Sequence, residues 1–297
     1  MNYTIFGCNN PTGEYFLEQV TNSSIEIWGR KKPRAQNVEF IYCDLSRPPQ
    51  SPLNDISGII ISFAPIWLLS NFLVQVSTEQ PERLRDLQGI IAISSSSFLT
   101  KKFAFSNYDK YLALSLGDAH HSLIELSRSL KIDCHILAPT LVYGLKNDFQ
   151  DRNISKIIKI LRLLPLVVLP QETGLRQPIH AGQLAQVAHK KAQEILSGLY
   201  VPSEPDVLPL GGDDILNYAD LIKRIQNSLP IKDRGRRCMI IQIPDRIFLL
   251  LVCILLPFNT RLFEAVMRIK SNLAGFPKAS DLVDAQPRVF PILPLSI

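Results

Sequence analysis

Gly7, Asn10 and Gly13 in "FGCNNPTGEYF" stand at the positions of a G-x-x-G-x-x-G loop, with asparagine at its centre. In such a loop the first glycine makes a tight turn and the second lets backbone approach a pyrophosphate. The third lets a helix close on a strand, and free N–H groups face the phosphates. Asparagine is among the least costly central replacements, because it tolerates positive φ and its amide can donate to a phosphate oxygen. Pro11 suits a first helical turn, where its missing N–H costs nothing, and Thr12 completes the loop. Alone, the same residues also fit an ordinary strand–helix turn.

Further downstream, residues of matching chemistry recur. Seventeen positions past Gly13 an apolar run ends in "WGRKKPR", with Arg30, Lys31 and Lys32 where a dinucleotide fold usually carries an acid for the ribose 2′-hydroxyl. Cations there suit a 2′-phosphate, so the expected cofactor is NADP, with NAD the lesser alternative; a solvated basic turn is the other reading. "CDL" places Asp44 and Leu45 near an adenine edge. "SFAP" places Ser62, Ala64 and Pro65 at the carboxyl end of a strand, and "ISSSS" supplies the hydroxyls of Ser94 to Ser97. In open parallel sheets ligands bind at that end.

The elements that must position these residues are legible as alternation. The β-branched runs "YTIF", "SIEIW", "VEFIYC", "GIIISF", "GIIAIS" and "DCHILAP" are separated by segments of helical spacing, which predicts an α/β fold with a Rossmann-type doubly wound parallel sheet. Tyr108–Leu130 is long enough for a helix of several turns, although Gly117 weakens it. Residues 1–150 form the expected dinucleotide-binding domain, with elements returning from about 175–200. Residues 151–297 form a smaller C-terminal substrate-type domain, with helices near Ile154–Leu163, Gln183–Leu196 and Leu216–Ser228 and prolines at 165, 170, 178, 202 and 205 between or beside them.

The order of these motifs resembles an atypical member of the extended short-chain dehydrogenase/reductase superfamily, of the NAD-dependent epimerase/dehydratase and NmrA-like kind. "GCNNPTG" resembles its glycine loop, "ISSSS" its fifth-strand serine, "ILAPTLVYG" its sixth-strand segment, and "PLVVLPQETGLRQPIHAGQLAQVAHKK" the lead into its substrate domain. The resemblance implies a nicotinamide dinucleotide on the loop, with Ser94 beside it. It also implies a substrate contact from Arg176, which matches an arginine that grips a nucleotide-sugar diphosphate, a surface arginine being the other reading; His180 in "RQPIH" is a second substrate-site candidate by its place at a strand end.

The same comparison exposes a gap. These enzymes move a proton with a Tyr-x-x-x-Lys pair on the helix after the fifth strand, the lysine lowering the tyrosine's pKa and holding the ribose. None of the eight tyrosines is followed by lysine four residues later, and Ala113 and Gly117 fall at the two positions. Ala138 stands where an arginine is usual, and "AGQLA" lacks a usual acidic pair. Ser95, Ser96 and Tyr143 are the remaining catalytic candidates. His120 and His121 are expected to be packed or exposed, too far along their helix to serve.

Composition sets the outer bounds. At 46% hydrophobic, 297 residues can build one large core or one core with a smaller domain. Five scattered cysteines without CxxC spacing suggest no metal site and no disulfide framework. The start of the chain carries no export signal pattern, so a cytoplasmic protein, or one of an organelle stroma or matrix, is expected. Ile247–Leu256 is an unbroken apolar run, and Lys223–Lys270 holds ten basic and three acidic residues, a net charge of +7 against +5 for the whole chain. That combination suits an anionic membrane surface or a membrane complex, hence a peripheral location; an apolar helix over a pocket is the alternative. Nucleic acid is not expected, because stacking aromatics are not interleaved with the cations.

Three functions stay open at this level. One is a cofactor-holding accessory or sensor protein without standard catalysis. Another is an epimerase, dehydratase or oxidoreductase acting on a nucleotide-sugar or isoprenoid-like substrate through a rebuilt site. The third is an interaction module with an empty pocket.

Overall fold

The computed structural model describes residues 2–21, 23–33, 38–49, 53–102, 104, 106–198, 207–254 and 260–295. Pro202, Pro205, Leu255 and Leu256 lie outside them. In the first half the chain runs through β1 (Asn2–Phe6), α1 (Pro11–Leu17), β2 (Ser24–Gly29), β3 (Glu39–Tyr42), β4 (Gly58–Ser62), α2 (Ile66–Glu79), β5 (Leu87–Ile93), α3 (Asn107–Leu130) and β6 (Asp133–Pro139). The second half adds α4 (Ile154–Leu163), β7 (Leu166–Pro170), α5 (Ala181–Leu196), β8 (Val207–Leu210), α6 (Tyr218–Ser228), β9 (Met239–Ile243) and α7 (Asp245–Cys253).

Seven strands make one parallel sheet in the order β8-β6-β5-β4-β1-β2-β3. The chain winds outward from β1 through β2 to β3, then crosses back to β4 on the other side of β1. That reversal is the doubly wound arrangement expected from the alternating runs, and in open sheets of this kind ligands bind at the strand ends where the order reverses. The six expected strands are all present. The seventh, β8, was not legible: it is short and contains Pro209, which argues against a central strand. It lies at the sheet edge, where a missing donor is tolerated.

Both faces of the sheet are covered, as the strand sequences require. In β4, Ile59 and Ile61 pack with Phe16 and Leu184 from α1 and α5, while Ile60 packs on the other side with Leu69 and Phe72 of α2 and Leu123 of α3. This period of two explains why the strand is apolar throughout. A third cluster gathers Ile154, Ile158 and Leu161 of α4 with Leu221, Ile222 and Ile225 of α6. α5 contributes Leu184, Ala185, Val187 and Ala188 to the first cluster.

Between the sheet end and residues 271–295 the contacts are polar and buried. Gln177 is fully buried: its amide nitrogen, Nε2, donates to the carbonyls of Gly212 (2.8 Å) and Phe276 (3.0 Å), and Oε1 accepts from the N–H groups of Gly275 and Phe276 (3.1 Å each). Asp213 accepts from Ser280 N–H (2.9 Å), Arg288 N–H (2.7 Å) and Gln183 Nε2 (2.6 Å). Burial opposes its ionisation, but these bonds outweigh that and hold the carboxyl below the usual range. Gln177→Leu would strip four backbone groups of their partner at once. Urea unfolding should show a loss of roughly 3–5 kcal/mol; a loss under about 1 kcal/mol would mean that water replaces the amide.

Candidate functional site

The loop after β1 is shaped by what it cannot hold. Gly7 has φ +67° and touches the β4–α2 connection so closely that an added Cβ would lie 2.7 Å from the Ala64 nitrogen. At Gly13 a Cβ would lie 2.3 Å from the Cys8 carbonyl oxygen. Both glycines therefore have the roles assigned to them, turn and close packing. Phe63 N–H donates to the Phe6 carbonyl (2.9 Å), and Ala64 N–H to Ser62 Oγ (3.3 Å), fixing the β4–α2 connection. Pro65 starts α2.

Asn10 departs from expectation. Its φ is −159°, extended backbone rather than the positive φ anticipated, so no glycine-like conformation is needed there. Its side chain turns inward: Oδ1 accepts from Gly13 N–H (3.0 Å) as the helix N-cap, and Nδ2 donates to the Gly7 carbonyl (2.7 Å). The amide is thus committed to the loop, and one N–H that a phosphate would otherwise meet is already satisfied. Pro11 opens α1 as expected, and Thr12 is buried.

Around this loop the basic turn is close at hand. Asn9 Nδ2 donates to the Lys31 carbonyl (3.0 Å), tying Arg30, Lys31 and Lys32, all exposed, to the glycine loop. Asp44 accepts from the N–H and Oγ of Ser46 (3.1 and 2.7 Å) and lies 3.7 Å from Arg47. The Ser46 hydrogen bonds come first in holding its carboxyl below the ordinary value, and Arg30 and Arg47 add to them. A cavity of about 120 Å³ opens here, lined by Tyr42, Cys43, Asp44, Arg47 and Phe72 among others. Leu45 packs against the second core cluster.

At the end of β5 the serines divide by role. Ser95 Oγ accepts from Ser97 N–H (3.2 Å), and Ser96, buried, donates its N–H to Pro139 (2.9 Å), so both serve the turn itself. Ser94 Oγ lies 2.6 Å from Nε2 of His120, whose ring also packs edge-on to Phe98. Burial depresses His120 to about 4, which keeps it neutral at pH 7. The expectation of a packed histidine is half right: His120 is buried, yet its polar edge meets the serine of the candidate site. Sequence offered one signal, a histidine on the helix after a serine run, but spacing alone could not show that helix position and strand end converge. Tyr108 and Tyr111 are 52% and 72% exposed. Ala113 is buried and Gly117 faces open space.

Three sequence-derived candidates turn out to be bound within the protein. Tyr143 is fully buried, its hydroxyl accepts from Ile292 N–H (3.1 Å), and burial raises its pKa, so it is a packing residue rather than a proton donor. Arg176 is buried as well, donating to the carbonyls of Leu175, Arg268 and Ser271 while stacking on Tyr218. It holds the 268–271 turn instead of reaching for a diphosphate. His180 caps α5, accepting from Gly182 N–H (3.1 Å) between the rings of Tyr15 and Tyr143, and burial depresses it to about 4. The same C-terminal stretch closes on the start of α3, where Lys101 and Arg268 flank the buried Asp109.

Sheet order and glycine loop together define a doubly wound Rossmann fold, similar to that of solved nucleotide-sugar epimerases. Solved structures that share it include the UDP-glucuronic acid 4-epimerase from Bacillus cereus in complex with NAD, 12% identical, covering 97% of this chain and 94% of that chain with a TM-score of 0.60. Another is the UDP-N-acetylglucosamine 4-epimerase from Methanobrevibacter ruminantium M1 in complex with UDP-N-acetylmuramic acid, 13% identical, covering 97% and 93% with a TM-score of 0.60. MoeE5 in complex with UDP-glucose and NAD is 15% identical, covering 97% and 94% with a TM-score of 0.58. No family model and no curated protein matches the sequence.

The loop geometry generates a paired test by denaturant unfolding. Asn10→Ala removes the cap and should cost about 1 kcal/mol. Gly13→Val, whose side chain meets the Cys8 carbonyl, should cost at least about 2 kcal/mol. A neutral Asn10→Ala would mean that the cap contributes nothing.

Proposed function

We propose that this chain holds a nicotinamide dinucleotide on the epimerase/dehydratase scaffold and performs little or no standard tyrosine–lysine chemistry, as an accessory subunit, an assembly factor or a sensor of nucleotide redox state. One observation carries the reading: at the sheet end where the strand order reverses, Gly7 and Gly13 pack so closely on Ala64 and Cys8 that neither could bear a Cβ, the tight strand–loop–helix turn on which such a cofactor is held. No tyrosine has its lysine partner, and the tyrosines on α3 are exposed. The 2′-phosphorylated form is preferred on this reading, because Lys31 is tied to the loop by Asn9 and Arg30 acts electrostatically on Asp44. The solved neighbours that name a dinucleotide carry NAD, which makes the preference the point to measure. The proposed setting is the cytoplasm or an organelle stroma or matrix, with the basic, apolar C-terminal region bringing the protein to an anionic membrane surface or a membrane-bound partner.

A second reading rests on Ser94 and His120. Bound dinucleotide would supply hydride exchange with a substrate alcohol or ketone. Ser94 and a neutral His120, sharing one proton across 2.6 Å, would then move the accompanying proton. Arg176 is committed elsewhere, so a nucleotide-sugar substrate would need another grip on its diphosphate.

Calorimetric titration with NADP(H) and NAD(H) decides the first reading, and no binding of either would leave an interaction module with an empty pocket. Arg30→Ala should weaken NADP by roughly 1.5–3 kcal/mol and leave NAD within about twofold. Equal losses for both would remove the basis of the NADP preference. Nicotinamide absorbance measured with alcohol and ketone substrates tests the second reading. Ser94→Ala and His120→Gln should leave cofactor affinity within about twofold; any turnover should fall roughly a hundredfold in either variant if the pair moves the proton.

A further inference from the structure

Three consecutive parts of the C-terminal half leave aliphatic side chains in solvent. β7 and β9 pair in parallel, with Leu166 beside Met239 and Val168 beside Ile241. Strand alternation puts these four on one face of the ribbon, while Val167 and Ile240 turn the other way onto the third core cluster. The four outward residues are 36–60% exposed. Just before the ribbon, Leu163 at the end of α4 is 80% exposed and Leu164 is 44% exposed. Just after it, α7 and its C-cap carry Ile247, Leu250, Leu251 and Ile254, at the i, i+3, i+4, i+7 spacing of one helical stripe and 50–71% exposed; Phe248 and Val252 are buried beneath. Isolated exposed leucines need no explanation, but ten such apolar residues on α4, β7, β9 and α7 and their caps do.

Charge along these elements is predominantly basic. Lys159, Arg234, Arg237 and Arg246 are exposed and make no ion pair among the described residues. Two acids of the same stretch are already neutralised, Asp233 by Arg162 and Asp245 by Lys270; Glu264 is buried and accepts from the Ser106 N–H, and Glu172 stands exposed beside Asp245. A second copy of the chain would bring the same unpaired cations to a shared interface, where like charges oppose association. An anionic bilayer accepts both features, aliphatic chains in its interfacial layer and arginines at its headgroups. α7, with nine residues, is about 14 Å long against a hydrocarbon core of roughly 30 Å. Among the described residues no helix is long and apolar enough to cross a membrane.

We infer that the outer face of the β7–β9 ribbon, together with the α7 stripe, docks this protein flat on an anionic lipid surface. This rests on the membrane reading above and narrows it, from a membrane or a membrane complex to lipid itself, and from a C-terminal helix to a face that includes β7. The full chain is tested by flotation with vesicles of phosphatidylcholine alone and with added phosphatidylserine, at low and high salt. Wild type should float with the phosphatidylserine vesicles and release as salt rises. Arg234→Gln with Arg237→Gln should lower the partition about thirtyfold, from about 1 kcal/mol per cation. Leu250→Ser with Leu251→Ser, and separately Leu166→Thr with Met239→Thr, should each lower it at least tenfold, with circular dichroism and dinucleotide titration confirming intact folds. If no vesicle is bound in any condition, both this inference and the membrane reading fall, whatever the dinucleotide titration shows. Binding that ignores the ribbon pair leaves the membrane reading standing and overturns the inference. A stable dimer that protects Met239 and Leu250 would assign the face to a second copy and overturn it too.

Discussion

Gly7 and Ala64 meet with no space for a side-chain carbon between them, and much of the molecule is arranged around that contact. It joins the loop after β1 to the loop after β4 at the place where the sheet changes direction. The positive φ at Gly7 turns the chain into α1, and the absence of a Cβ at Gly13 lets that helix lie against Cys8. A larger residue at either position would move α1 away from the sheet and with it the contacts that α1 makes with α5 in the first core cluster. The fold and the turn therefore have the same cause.

Groups that chemistry could use have been drawn into holding the chain together. Tyr143, Arg176 and His180 stand where a substrate would be sought, but each is buried; Tyr143 and Arg176 bond backbone groups of the protein, and His180 does so through Nδ1 while its Nε2 has no partner among the described residues. A buried guanidinium or phenol without partners would be unstable, so the carbonyls of residues 268 and 271 and the N–H of Ile292 answer a requirement that a ligand could otherwise have met. Ser94 and His120 are the exception, because Ser94 stays partly exposed and its partner is another side chain.

Legibility followed the range of the interaction. Runs such as "GIIIS" announce a strand covered on both faces through local composition, and six strands and the main helices were readable for that reason. β8 was hidden because its place is fixed by β6, about seventy residues earlier, and its proline masks it. The loop was readable because glycine is demanded by local sterics. Asn10 was recognised as the odd member but not as a cap, since the direction of its amide depends on Gly13 already being helical. Arg176 could not be placed from sequence at all: two of the carbonyls that hold it, those of Arg268 and Ser271, lie more than ninety residues away.

The buried amide of Gln177 has a consequence for how the chain matures. Two of its four bonds run to N–H groups at positions 275 and 276, and a third to the carbonyl of Phe276. During synthesis the strands from β1 to β6 emerge first and can pair, while Gln177 waits for partners nearly a hundred residues behind it. Until they arrive, the end of the sheet beside β8 presents open polar backbone and uncovered apolar surface. Closure of that end of the sheet therefore comes last in the chain's order, with residues 275–288.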